Sequence, residues 1–284
     1  MIWTVFALTT SLLLTEVDAK QVVLCETSLL NHCLQTLSLS VRGQLPDSDA
    51  ELKQLLGQRG AMVLPLRDEN VAGVILLARK QIPDSLSIDL SGSLYSFTLS
   101  EQLAVTLWHE IGHLEAINLL ELGVFDTLSP YRHEWIADCY LTWRSAKEGK
   151  GLDLAWQQYH RRNLNMMQSA ENISHWTVPV MAQVLEQYDA EQLAHFNSFS
   201  DFIQDALPRL FEEEQDTLAE FASLFHRTFD TQVMQLLPDY MFWRKPVLAQ
   251  LLEPTLVKLL GEPAAREWMQ KQNFSSPLAF KAEP

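Results

Sequence analysis

Cysteine is scarce in this sequence, with three residues among 284. A disulfide-dense scaffold, which needs several bridges, is therefore excluded. Cys25 and Cys33 are close enough in sequence to form one bridge in an oxidising compartment, and the alternative is a pair of ordinary buried thiols.

Basic residues are also few, since 21 Lys and Arg stand against 36 Asp and Glu and give a formal net charge of −15. This charge repels phosphate backbones and anionic lipid heads, so no nucleic-acid partner is expected. Apolar residues make up 47% of the chain, which suits a folded protein with one large domain or two modest ones.

Long apolar runs are missing beyond the first residues. No later stretch reaches the roughly 18 to 20 apolar residues that a membrane span needs, so no span is expected in the mature chain. The apolar stretch from Ile2 to Leu14 is followed by Val17-Asp18-Ala19, which has the small-x-small form of a signal-peptidase site. Residues 1–19 thus predict a cleaved signal and a periplasmic or secreted protein. No Lys or Arg precedes the apolar core, and the alternative is a buried first strand or helix in a cytoplasmic protein.

The secondary structure predicted for the rest of the chain changes along its length. Asp47 to Leu56 predicts a short helix, and the apolar run Val71 to Ala78 and the loosely alternating Leu86 to Thr98 predict strands of a small sheet. Helical periodicity punctuated by prolines follows Leu152. The predicted fold is α+β, with a domain over residues 20–150 and a mostly α-helical region over residues 151–284 packed on it.

Two predicted helices in the domain over residues 20–150 contain the candidate site residues. Thr98, followed by Glu101, has the form of a capping box that opens a helix running to about Leu122, before Gly123. Ser129 and Pro130 supply an N-cap and a first-turn proline for a second helix that runs to about Glu148. The connection is short, so the two helices are expected to be neighbours.

The first helix contains His109-Glu110-Ile111-Gly112-His113. Two histidines four residues apart lie only about 40° apart on one helical face, so both imidazoles can reach one ion. Glu110 lies about 100° from His109, where it can address a metal-bound water. Leu107 and Ile111, with Leu103 and Leu114, form an apolar arc expected to bury the back of the helix.

The second helix supplies the candidate for a third ligand. A catalytic zinc takes three protein ligands and keeps one position open, so two histidines are incomplete. Glu134 and Asp138 again share a face. With Glu134 as the ligand, Asp138 is placed to accept a hydrogen bond from the distal nitrogen of a histidine ligand.

The pattern His109-Glu110-x-x-His113, followed about twenty residues later by Glu134-x-x-x-Asp138, resembles the gluzincin metallopeptidases, whose best-known member is thermolysin, and especially the small gluzincins of the ImmA/IrrE type. The resemblance implies zinc bound by the two histidines and Glu134, with Glu110 as general base. It also implies a zincin-like domain whose edge strand binds a peptide in extended form.

The likeness covers about residues 70–148, and no family pattern is recognised in the C-terminal half. The expected function is a zinc metallopeptidase acting on a peptide or protein, with the C-terminal half available for a protein partner. One alternative is a non-catalytic module in which zinc staples two helices. Another is a zinc amidase or esterase that acts on a cell-envelope component.

Other polar residues are expected to be structural. His133 turns about 100° away from Glu134 and is predicted not to be a ligand, and Cys139 falls about 140° from Glu134 and is predicted to point into the core. Packing is the expected role of Tyr131. Four histidines are expected either to be plain hydrogen-bonded residues or to help stabilise an oxyanion: His160, His175, His195 and His226. The acidic run Glu212 to Glu214 is expected to form a solvated helix face.

Overall fold

The computed structural model describes residues 12–229 and 242–274. The chain divides into two compact units, the first formed by the described part of residues 1–83 with residues 101–126, and the second by residues 84–100 with the described part of residues 127–284. Each unit is described separately below. The predicted domain boundary at residue 150 stays a prediction.

The first unit contains a four-stranded sheet with the strand order β1-β2-β4-β3. The central strands β2 and β4 are parallel, whereas β1 and β3 lie antiparallel at the two edges. The strands are β1 (Leu12–Val17), β2 (Lys20–Glu26), β3 (Ala61–Pro65) and β4 (Val71–Leu77).

Strand β4 confirms the strand predicted from Val71 to Ala78. Its second half is fully buried because a central strand in this sheet is covered on both faces. Gly73 is needed here, since a Cβ atom at this position would lie 2.8 Å from Leu114 Cδ2 and 2.9 Å from the Leu64 carbonyl oxygen. The missing side chain thus lets a helix pack closely against the sheet.

The described part of this unit also contains four α-helices: α1 (Leu30–Thr36), α2 (Leu39–Arg42), α3 (Asp49–Leu56) and α4 (Gln102–Glu121). Helix α3 confirms the short helix predicted there, and its N-cap Ser48 accepts a hydrogen bond from the Glu51 N–H. Leu52 and Leu56 on α3 join Leu76 of the sheet in one apolar core.

Helix α4 begins later than the sequence predicts. Thr98 is the last residue of a strand, Glu101 occupies the left-handed region with φ 46°, and no side-chain capping bond forms, so the predicted capping box is wrong. Strand pairing prevails over the local signal, because the Leu99 N–H still donates to the Asp84 carbonyl. The predicted end is confirmed. Gly123, at φ 72°, donates to the Leu120 carbonyl and Val124 to the Leu119 carbonyl, a Schellman motif.

Cys25 and Cys33 form a disulfide that joins β2 to α1. The sequence alone did not decide whether these two cysteines form a bridge or remain thiols. Both residues are fully buried within the apolar core of the unit. The bridge therefore ties the sheet to its first covering helix.

Reduction of this disulfide should lower the free energy of unfolding by about 2.5 kcal/mol, the loop-closure entropy expected for a sequence separation of 8. Urea unfolding midpoints measured with and without dithiothreitol test this. A Cys25→Ala/Cys33→Ala variant should show no further shift with reductant. Equal midpoints for the wild type would mean that the bridge does not constrain the unfolded chain.

The second unit begins with a hairpin of β5 (Ser85–Leu90) and β6 (Ser93–Thr98). The sequence predicted strand structure from Leu86 to Thr98 around Gly92, and the hairpin confirms it. Ser91 at φ 57° and Gly92 at φ 81° form the two-residue turn, for which two positive φ angles are typical.

Helices form the rest of this unit, which confirms the α+β fold with a mostly helical C-terminal half. The Ser129 hydroxyl accepts a hydrogen bond from the Arg132 N–H and Pro130 occupies the first turn of its helix, both as predicted. The helices are α5 (Pro130–Lys147), α6 (Asp153–Gln168), α7 (Val178–Gln187), α8 (Ala190–His195), α9 (Phe199–Ala206), α10 (Gln215–Phe229), α11 (Arg244–Leu260) and α12 (Glu262–Lys271). Among the described residues, no helix is both long and apolar enough to cross a membrane.

Buried polar contacts join α6 to α11. Pro254 lies inside α11 and lacks the N–H that a helix interior needs. One turn earlier, the Leu251 carbonyl accepts hydrogen bonds from the Tyr159 hydroxyl at 2.7 Å and from Asn163 Nδ2 at 2.8 Å. The side chains of α6 thus supply partners beside the proline, which fixes the packing of these two helices.

The predicted signal segment lies partly outside the described residues, which begin at residue 12. Leu12–Val17 forms β1, and Asp18 and Ala19 form the tight turn into β2 with φ angles of 49° and 61°. Cleavage after Ala19 would remove an edge strand and leave the parallel pair β2 and β4 in place. Export stays a prediction.

Candidate metal centre

Helix α4 presents His109 and His113 on one face, as their spacing predicts. Their ring centroids are 4.7 Å apart and the ring planes meet at 77°. Both side chains are half-buried. Leu107, Ile111 and Leu114 on the apolar arc are buried, so most of the predicted burial of the helix back is confirmed.

The carboxylate of Glu110 is held by the edge strand of the first unit. Its Oε2 accepts a hydrogen bond of 2.8 Å from the backbone N–H of Val63 on β3. This N–H points away from β4, so it belongs to the free edge of the sheet. The bond fixes the orientation of the carboxylate.

Glu134 lies in the second turn of α5, where the cap at Ser129 and Pro130 fixes the start of the helix. Its side chain is only 12% exposed and has two basic neighbours. Arg162 Nη2 donates to Oε2 at 3.0 Å, and Nε2 of His175 lies 3.4 Å from Oε1. The carboxylate is therefore positioned from both sides within its own unit.

The possible ligand atoms of His109, His113 and Glu134 all lie within 4.8 Å of one another. This is the one group of three or more His, Cys, Asp or Glu residues in residues 12–229 and 242–274 that could hold a metal ion. Two imidazole nitrogens and one carboxylate oxygen form a ligand set that zinc accepts in catalytic sites. These three residues could therefore hold one metal ion.

Asp138, one turn after Glu134, is completely buried. Its carboxylate accepts four hydrogen bonds: from Arg162 Nε at 2.7 Å, Arg162 Nη2 at 3.0 Å, Gln158 Nε2 at 2.9 Å and Thr177 Oγ1 at 2.6 Å. The predicted bond from a histidine ligand to Asp138 stays a prediction. What the contacts establish is a link from Asp138 to Glu134 through one shared arginine.

Arg162 contacts a residue of the candidate site and was missed by the sequence analysis. Its guanidinium binds Asp138 through two nitrogens and Glu134 through one of the same nitrogens, and the residue is 7% exposed. Burial alone would lower the pKa of Arg162, but the Asp138 and Glu134 carboxylates raise it above its usual range. The only sequence signal was a pair of adjacent arginines in a helix whose other residues are mostly apolar or amide side chains.

Two of three neighbours of the candidate ligands, Tyr131 and Cys139, are buried as predicted, whereas the prediction that His133 is not a ligand stays a prediction. Tyr131 is buried, so packing is its role, and burial raises its pKa well above the usual value. Cys139 is a buried free thiol that points into the core, and burial raises its pKa as well. His133 is half-buried, and burial lowers its pKa against the opposing effect of the Glu134 carboxylate.

The four histidines weighed as oxyanion helpers have separate surroundings. His160 is buried and its Nδ1 lies 3.0 Å from Thr255 Oγ1, which makes it a structural histidine. His195 ends the short helix α8, and His226 lines a cavity beside Phe225. His175 alone of the four has a described contact with a candidate ligand, Glu134.

The pKa of Glu115, two residues after His113, also departs from its usual value. Burial raises its pKa to about 7, although a hydrogen bond from Asn118 Nδ2 acts in the opposite direction. Its carboxyl is therefore partly protonated at neutral pH. It points to another side of α4 from Glu110, since five residues correspond to a rotation of about 140°.

No protein-family model matches this chain, and no curated protein or solved structure is similar to it. A functional proposal rests on the geometry of the ligand group and on the motif that the sequence carries.

Replacement of Glu134 by Ala should lower the retention of added zinc at least about 10-fold, because it removes one of the three candidate ligands. His133→Ala is the matched control and should retain the metal, since His133 precedes Glu134 on a different side of the helix. Zinc content after dialysis against a graded chelator series measures both variants. Loss of zinc from His133→Ala with retention in Glu134→Ala would show that the third ligand is wrongly assigned.

Proposed function

We propose that this protein is a zinc-dependent hydrolase, most simply a metallopeptidase. The observation that carries the proposal is the three-membered ligand group of His109, His113 and Glu134 beside the carboxylate of Glu110. Three protein ligands leave a coordination position for water, which is the arrangement of catalytic zinc sites.

The bound zinc would lower the pKa of a water molecule towards 7 and polarise the scissile carbonyl. Glu110 would act as the general base that accepts a proton from the attacking water and returns it to the leaving amine. The Val63 N–H holds one oxygen of Glu110 in place, which limits the motions of the carboxylate. Arg162 and His175 orient Glu134, so the ligand keeps its position while the reaction proceeds.

A peptide is the favoured substrate because of the free edge of β3. The Ala78 N–H donates to the Gly60 carbonyl and the Leu66 N–H to the Ala72 carbonyl, so alternate residues of β3 face β4. Ala61 and Val63 then direct their backbone groups outward. Because the Val63 N–H already donates to Glu110, a peptide would pair with the Ala61 N–H and with the carbonyls of both residues. An extended peptide can pair with such an edge by main-chain hydrogen bonds.

Two alternatives differ in their chemistry. A zinc that staples helices for a binding or regulatory module would take four protein ligands, whereas the group found among the described residues has three members. A zinc amidase or esterase acting on a cell-envelope component would use the same metal and the same Glu110. The helical C-terminal half is the part proposed to bind a protein partner.

One assay separates the metallopeptidase from the two alternative functions. Zinc-loaded protein is incubated with a peptide library, with small amides and with small esters, each with and without a chelator. Chelator-sensitive cleavage of peptides supports the metallopeptidase, and cleavage of amides or esters alone supports the second alternative. No cleavage of any class by protein that holds one zinc per chain would favour the stapled module.

We also propose that the protein works in an oxidising compartment. The support is the buried Cys25–Cys33 disulfide, since such bridges persist outside the reducing cytosol, together with the apolar segment that opens the chain. A periplasmic or secreted protease fits both features.

A further inference from the structure

His175 is an exposed histidine that lies beside a candidate ligand within the second unit. Its Nε2 is 3.4 Å from Oε1 of Glu134, and its side chain is 52% exposed, whereas that of Glu134 is 12% exposed. The unprotonated nitrogen of an imidazole is a good zinc ligand. This placement therefore brings a further zinc-binding group next to the candidate metal centre.

The oxygen that His175 approaches is the one better suited to a metal ion. Arg162 Nη2 donates to Oε2 of Glu134 at 3.0 Å. A guanidinium on Oε2 offsets the negative charge there, which favours Oε1 as the metal-binding oxygen. Two ligand atoms on one tetrahedral zinc, with bonds of about 2.0–2.1 Å, are about 3.3–3.4 Å apart. The distance from His175 Nε2 to Glu134 Oε1 matches that separation.

The backbone that follows His175 is firmly anchored, although the imidazole itself is exposed. Trp176 is completely buried, and its Nε1 donates to Asn163 Oδ1 at 2.9 Å. Thr177 is also completely buried, and its hydroxyl donates to Asp138 Oδ2 at 2.6 Å. These contacts hold the Cα atom of His175 in place while its side chain can change rotamer.

A rotation of the imidazole is needed for it to join the other ligands. His175 does not belong to the group whose ligand atoms all lie within 4.8 Å of one another. Its distance of 3.4 Å from Glu134 is longer than a common N–H···O hydrogen bond of about 2.9–3.0 Å, so the carboxylate does not lock it. Its Nδ1 lies 3.4 Å from the Ser174 hydroxyl. The tautomer with the proton on Nδ1 leaves Nε2 the lone pair that a metal needs.

We propose that His175 is a fourth, displaceable zinc ligand, which closes the metal centre in the resting protein and leaves when a small ligand or a substrate enters. The three candidate ligands lie on the long helices α4 and α5, whereas His175 ends the 3₁₀ segment Ala170–His175. Ordering an exposed side chain costs conformational entropy, so this ligand is the one released most readily. The inference rests on the zinc site of the proposed function, but its effect on metal binding can be measured without turnover.

The test follows the binding of azide to cobalt-loaded protein by visible absorption. Cobalt(II) accepts the same imidazole and carboxylate ligands as zinc, and its absorption changes with the number of ligands. Azide must displace His175 in the wild type, so its apparent affinity is reduced by the fraction of protein that is open. His175→Ala should therefore bind azide at least about 10-fold more tightly, as expected when about 10% or less of the wild type is open. Its cobalt spectrum without azide should also differ from that of the wild type.

His175→Gln separates metal binding from the orientation of Glu134. Glutamine can still form a hydrogen bond with the carboxylate but is a poor ligand for cobalt or zinc, so this variant should behave like His175→Ala. His195→Ala at the exposed end of α8 is the control, since it removes the same imidazole elsewhere in the unit. It should bind azide as the wild type does. Thermal unfolding shows whether each variant keeps the fold, as the exposure of His175 leads us to expect.

Failure of this proposal differs from failure of the proposed function. Equal or weaker azide binding in His175→Ala, or no azide binding by either protein, would overturn the fourth ligand. Wild-type azide affinity in His175→Gln would also overturn it, because His175 would then only orient Glu134. Tighter azide binding in both variants without hydrolysis of any peptide would uphold the ligand and count against the metallopeptidase. Hydrolysis of peptides together with equal azide affinities would do the reverse.

Discussion

Glu110→Gln should lower the rate of hydrolysis by about 10²- to 10⁴-fold, the usual contribution of a positioned general base. Glutamine keeps the size of the side chain but removes the basic oxygen. Its amide oxygen can still accept the hydrogen bond that the Val63 N–H now gives to Glu110 Oε2. Zinc content and thermal stability should therefore stay near the wild-type values while turnover is lost.

Glu115→Gln provides the control for this substitution, since it makes the same chemical change on the same helix. Glu115 is partly protonated at neutral pH, so a neutral amide changes its surroundings little. Activity should be retained. If Glu110→Gln cleaves a chelator-protected substrate at the wild-type rate, Glu110 is not the base, and a silent substitution in every assay is what a stapled site predicts.

Local signals in the sequence were sufficient to predict the end of α4 and the start of α5, the two helices that carry the candidate metal ligands. Gly123 ends α4 and Ser129 with Pro130 begins α5, because caps act through the backbone groups of the adjacent turn. The spacing of His109 and His113 fixes their common face for the same reason. These inferences need no knowledge of distant parts of the chain.

Strand pairing was less accessible to sequence reasoning. Strands β2 and β3 were not predicted, because short apolar runs such as those in Lys20–Glu26 and Ala61–Pro65 do not distinguish strand from helix by periodicity. The start of α4 was placed at Thr98 for a related reason. A capping box is a local pattern, and the pairing of Thr98 with Ser85 in the hairpin is a tertiary contact that prevails over it.

The partner of Asp138 could not be predicted either. Arg162 lies 24 residues away on another helix, and no periodic pattern links the two positions. On sequence grounds a pair of arginines on a helix is expected at the surface. Its burial follows only from the packing of α5 and α6 around two carboxylates that need a cation.

Arg162→Met should lower the free energy of unfolding of the zinc-free protein by about 3–5 kcal/mol, the usual cost of removing one partner from a buried ion pair. Methionine fills most of the volume, so the loss would come from charge. Asp138 is fully buried, and its described hydrogen bonds other than those from Arg162 come from the neutral donors Gln158 and Thr177, which do not balance its charge. Urea unfolding of the two proteins at the same pH measures the difference.

A double variant tests the cause of that loss. Asp138→Asn alone should also destabilise the protein, because the Arg162 cation then lacks its main partner. Arg162→Met combined with Asp138→Asn removes both charges, so the double variant should lose less stability than the sum of the losses in the two single variants.

Zinc affinity adds a separate readout. It should fall on the order of 10- to 100-fold in Arg162→Met, since Glu134 loses the donor that orients it. Additive losses of stability with unchanged zinc affinity would show that Arg162 only fills space, and that Asp138 and Glu134 are held independently.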